Sequence, residues 1–105
     1  MAVYSFFHDG ICLKVGKVGA KSQARYVSQH YIPNSSMSNL AKSLLNSRDW
    51  VQRFSLTEQG IGPWIKESTD RINLILPDTA GLDVLSLLEA FLHCRWKPKF
   101  EGKVT

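Results

Sequence analysis

The chain is poor in the residues that would signal several whole classes of protein. It has two cysteines in 105 residues, Cys12 and Cys94, far apart and in no C-x-x-C pair. That spacing argues against a zinc site or a disulfide framework and suits two half-buried thiols in a reducing compartment. No stretch approaches the ~20 apolar residues that cross a bilayer. The opening MAVYSFFHDG has neither the charged leader nor the apolar run of a signal peptide. There are no internal repeats and no low-complexity segment. Together these absences lead to the expectation of a soluble, cytoplasmic protein. Acid is scarce too: nine Asp and Glu against thirteen Lys and Arg leave a formal charge of +4. A surplus of that size permits binding to a polyanion without requiring it.

What is present fits one domain over residues 1–105, with ordinary apolar and charged fractions. Ala2 to Phe7 and Ile11 to Gly16 are aromatic and β-branched runs joined by His8-Asp9-Gly10, a hairpin signal. A two-residue loop would pair Tyr4 with Val15 and send Lys14 to the other face. A three-residue loop, His8 to Gly10, pairs Tyr4 directly with Lys14, and glycine is favoured at its last position. A helix is expected over about residues 22–31, with Ala24, Val27 and Tyr31 on one face and Lys21, Arg25 and Gln29 beside it. Met37, Leu40, Ala41, Leu44 and Leu45 form the stripe of a second helix, after caps at Asn34 to Ser36. Residues 48–64 have no clean period and read as a short helix plus loop. Arg71 to Pro77 reads as a strand, apolar on one face and mostly so on the other. Leu82 to Cys94 reads as a helix apolar on nearly every side, hence buried around most of its circumference. The order predicts an α+β domain: a small, mostly antiparallel three-stranded sheet flanked by helices.

The stretch LKVGKVGAKS raises the question of phosphate. A loop of the G-x-x-x-x-G-K-[ST] kind does not fit, because Ala20 stands where its last glycine belongs and only two residues separate Gly16 from Gly19. Glu89 is the residue that asks most for an explanation. A carboxylate in an apolar helix needs a cation, a hydrogen-bond partner or a metal, so a salt bridge to Lys or Arg and a functional role are both open. His93 shares its face one turn on. His30 follows Arg25 on the same helix, within reach of any phosphate there, and His8 looks like an ordinary loop residue.

Taken in order, Ala2-Val3-Tyr4, Lys14-Val15-Gly16, Arg25 and Glu89 resemble the GIY-YIG nuclease superfamily over nearly the whole chain. That family has G-I-Y on a first strand, Y-I-G on a second, an arginine on the next helix, and a glutamate on a later one. An asparagine follows the glutamate by about a dozen residues. The blocks ARYVSQHY and LLEAFLHCRWKPKFEG also resemble those of small bacterial members, which places the protein in a bacterial cytosol or a phage genome. The chain departs from the pattern at Ala2 and Val3, at Lys14 in place of the second tyrosine, and at Glu101 in the asparagine position. Some restriction-type members carry a lysine in place of that second tyrosine.

The resemblance implies a metal-dependent DNA endonuclease. Glu89 would hold one Mg²⁺ or Mn²⁺, Arg25 would clamp the phosphate with His30 touching it alongside, and Tyr4 and Lys14 would orient and deprotonate the attacking water. Which of Tyr4 and Lys14 is the base stays open, since a lysine of ordinary pKa ~10.4 is a poor one unless its surroundings lower it. The glycines would let the second strand end tightly and pass into a helix. Lys17, Lys21, Lys42, Lys97 and Lys99 are candidate contacts to DNA backbone phosphates. The irregular segment 48–64 is the expected place for substrate contacts, its tryptophans belonging to the core. Double-strand cleavage by a one-site domain would call for a homodimer or two nicks. The alternative is a catalytically weakened nucleic-acid-binding module, or a subunit of a larger assembly.

Overall fold

A computed structural model describes residues 1–19, 31 and 39–100. The helix expected over 22–31 with Arg25 and His30, the start of the Met37 stripe, Lys21 and Glu101 all lie outside the described residues. The elements are β1 (Ala2–His8), β2 (Ile11–Val18), α1 (Leu40–Leu45), α2 (Arg48–Phe54), α3 (Ile61–Ser68), β3 (Asp70–Ile75), a 3₁₀ turn (Asp78–Ala80) and α4 (Leu82–Trp96). The fold is α+β, with one antiparallel sheet in the order β2-β1-β3.

β1 lies between the other two strands and is covered on both faces, which is why AVYSFFH is apolar almost throughout. Tyr4 and Phe6, with Leu13, pack against Leu40, Ala41, Leu44, Trp50, Ile61 and Ile65 of α1, α2 and α3. Val3, Cys12 and Val15 face the other way, onto Leu85 and Leu92 of α4. The sheet therefore divides the molecule into two apolar clusters.

The hairpin differs from the expected one. Asp9 and Gly10 form a two-residue turn with φ of 50° and 80°, both left-handed, as a turn matching the strands' twist requires. His8 pairs with Ile11 and Phe7 with Cys12, but Phe6 pairs with Lys14, so Leu13 is an extra residue in β2. This bulge restores Lys14 to Tyr4's face, although Tyr4 itself pairs with Gly16 rather than with Lys14. Gly16 does not end the strand either, since β2 runs on to Val18.

Three other expectations need correction. Residues 48–64 hold all of α2 and the start of α3, two short helices instead of one. Their tryptophans do belong to the core. Trp50 is buried, and His8 sits among the Trp50, Phe54 and Trp64 rings at 5.7, 5.0 and 5.2 Å. The His8 Nδ1–H donates to the Ser68 carbonyl at 2.7 Å, fastening the hairpin to the end of α3. β3 ends at Ile75, two residues short of the expected Pro77, and is an edge strand whose apolar Ile72, Leu74 and Ile75 are exposed. α4 buries only Leu85 and Leu92, one stripe along the helix. Its cap lies outside the helix pattern as well: Lys97 takes φ 47° and its N–H donates to the His93 carbonyl.

Candidate functional site

Tyr4 is held by its neighbours on the two adjacent strands. A β-carbon placed on Gly16 would lie 2.3 Å from the Tyr4 hydroxyl oxygen, so the phenol occupies the space that any other residue would fill. On the opposite flank, the Arg71 guanidinium lies 5.3 Å from the Tyr4 ring centre and 4.9 Å from that of Phe6. Arg71 also donates to Asn73 Oδ1 at 3.0 Å and to the Tyr31 hydroxyl at 3.2 Å. Lys14 lies diagonally across from Tyr4 on the same face, a separation long side chains bridge. Both residues are almost completely buried, Tyr4 at 1% exposure and Lys14 at 3%.

Glu89 comes to the same end of β2 from the other face. Lys17 pairs with Val3 and so points toward α4, where its ammonium donates to Ser86 Oγ at 2.9 Å and stands 3.8 Å from Glu89 Oε1. The latter distance exceeds a hydrogen bond, and the pair is partly open to solvent, so its stabilisation is about 1 kcal/mol or less. The carboxylate thus has the cation that its apolar helix demands, while keeping lone pairs for water or another ligand. Among the described residues no three His, Cys, Asp or Glu side chains come together. A metal at Glu89 would take one carboxylate from the described protein and otherwise water and substrate oxygens. One carboxylate with water and substrate oxygens is a donor set that fits Mg²⁺ or Mn²⁺.

Of the expected residues that are described, Tyr4, Lys14, Lys17 and Glu89 therefore lie along one strand without being gathered in one pocket. The Tyr4 phenol and Lys14 lie on one face of the sheet, and Lys17 and Glu89 lie on the other. His93 is half-buried one turn beyond Glu89. Lys97 and Lys99 follow α4. The Lys99 and Phe100 N–H groups donate to the Cys12 and Leu13 carbonyls at 3.0 and 2.8 Å, which lays the tail along the outer edge of β2 at the bulge. Lys42 is exposed on α1, in the opposite layer from Lys17. Among the described residues, a surface hollow of about 470 Å³ beside segment 48–64 has Glu58, Glu67 and Lys66 as its charged lining. Arg71 is the residue that sequence reasoning passes over. Its signal lies in strand pairing alone, because it shares Tyr4's face only once Phe6 is known to pair with it. Comparison with protein families, with curated proteins and with solved structures finds no match to this chain.

Proposed function

We propose that this chain is a DNA endonuclease that hydrolyses phosphodiester bonds with one divalent ion, Mg²⁺ or Mn²⁺, at Glu89. The observation that supports it most is the end of β2. There the phenol of Tyr4 is seated over Gly16 with Lys14 on the same face, and Lys17, the next residue, reaches Glu89. Hydrolysis needs an activated water, neutralised phosphate oxygens and help for the departing 3′ oxygen. When bound, a divalent ion supplies a more acidic water and positive charge beside the phosphate.

The chain's own groups divide the remaining work. Tyr4, fixed between Gly16 and Arg71, orients the attacking water, and it or Lys14 takes the proton. Lys17 exchanges its loose contact with Glu89 for a phosphate oxygen, an exchange that costs little because the exposed pair is weak. Arg25, in the role the family resemblance implies, adds a charged fork to the same phosphate. A phosphate at the end of β2 meets the Glu89 side directly, while the buried phenol reaches it only when the layer over Tyr4 opens.

A second reading, a nucleic-acid-binding module without catalysis or a subunit of a larger assembly, is favoured by the burial of Tyr4 and Lys14 and by the sheet between them and Glu89. Supercoiled plasmid incubated with Mg²⁺ or Mn²⁺ separates the two. Under the endonuclease reading the wild type nicks or cuts, and the Glu89→Ala and Arg25→Ala variants do not. Intact plasmid bound with a steep salt dependence supports the module. Absence of both cutting and binding overturns the two readings together.

A further inference from the structure

α4 presents three faces. Leu85 and Leu92 point into the sheet, Ser86 and Glu89 meet Lys17 on the β2 side, and the flank toward β3 is apolar and open. That flank carries Val84, Leu87 and Phe91, the last two 71% and 60% exposed. The helix lies over β2 and β1, leaving β3's share of the same sheet face uncovered. Ile72 and Leu74 pair with Ser5 and Val3, so they belong to that face, and both are exposed. Between the helix and the chain leaving β3 runs a trough of about 430 Å³ lined by Leu76, Val84, Leu87, Leu88 and Phe91.

We propose that this face is the interface of a homodimer in which the α4 helices of two copies pack antiparallel, each lying in the other's trough over its β3. Two observations select a second copy as the occupant. Val84, Leu87, Phe91 and Cys94 follow the three-four-three spacing of a helix–helix seam. Antiparallel packing about a two-fold axis sets Leu87 against the second copy's Phe91 and Val84 against its Cys94. The area also matches. With about 200 Å² for each large apolar residue, Ile72, Leu74, Val84, Leu87 and Phe91 expose roughly 500 Å². That is the apolar share of the ~800 Å² that each partner contributes to a standard interface. The proposal stands apart from the endonuclease reading, since Glu89 lies on a different flank of the helix.

Sedimentation equilibrium over roughly 1 to 100 μM, a range that captures micromolar association, tests it. The expected mass is twice the chain's 11.9 kDa. Leu87→Glu and Phe91→Glu, substitutions at exposed positions, are expected to give 11.9 kDa with an unchanged circular dichroism spectrum. Under mild oxidation Val84→Cys is expected to cross-link to Cys94 of the second copy, and the cross-link is lost on adding Cys94→Ser. A wild type that stays monomeric throughout overturns the proposal, as does a dimer that survives both glutamates or that fails to cross-link.

Discussion

At Gly16 a β-carbon would collide with the Tyr4 hydroxyl, whereas at Gly19 it would meet nothing within 4 Å. The two glycines of the same short stretch therefore serve different ends, and only the first is required by packing. Gly16→Ala is expected to lower the unfolding free energy by about 1–3 kcal/mol, the usual cost of overfilling a packed site. Gly19→Ala is expected to stay within about 0.5 kcal/mol, as surface changes do. Urea titrations of the two variants measure both values, and equal effects would contradict the seat described for the phenol. Displacing that phenol also predicts a loss of DNA cleavage of about 100-fold in Gly16→Ala, because misplacing a reacting group by about 1 Å has that effect. The letters K-V-G made phosphate the natural first thought. The reason for the glycine is a close approach between neighbouring strands, and that depends on a register the letters do not state.

Among the elements, the hairpin shows how far local pattern reaches. Asp9-Gly10 marks the turn correctly, but the extra residue at Leu13 has no signature in composition, and it alone decides that Lys14 returns to Tyr4's face. α4 was legible in place and length, while its faces were not. Leu85 and Leu92 point inward and Val84, Leu87 and Phe91 outward, and all are apolar, so periodicity cannot tell a buried stripe from an open one. α1 began later than its serines and asparagine suggested. Its cap is Asn39, whose side-chain oxygen accepts from the Lys42 N–H at 2.8 Å in a fully buried setting. Asn39→Ala is expected to destabilise the fold by about 1–2 kcal/mol, the upper range for a lost cap, measurable by thermal or urea unfolding. Asn34, proposed from sequence as a cap, lies outside the described residues.

Across the whole molecule, the α+β class and the three-stranded antiparallel sheet followed from the alternation of short runs and turns. Which distant residues share a side of the sheet did not, because one residue of register moves every side chain to the other face. Tyr4 and Glu89 lie on opposite sides of the sheet near the end of β2. Lys17, Lys97 and Lys99 are associated with β2 and the helix lying over it, whereas Lys42 belongs to the layer beyond the sheet. DNA lying along the β2 edge would touch the first group. Lys17→Ala and Lys99→Ala are each expected to reduce the slope of log affinity against log salt by about one, and Lys42→Ala to leave it unchanged, as read by fluorescence anisotropy.

The central claim is that the carboxylate of α4 and the phenol of β1 serve one phosphate at the end of β2. Its most direct test follows plasmid nicking with Mn²⁺ for the wild type, Glu89→Ala and Tyr4→Phe, with DNA binding measured in parallel. The account predicts nicking by the wild type, its loss in both variants and nearly unchanged DNA affinity in all three. Undiminished nicking by Glu89→Ala, or plasmid left intact by a wild type that binds it, would contradict the claim.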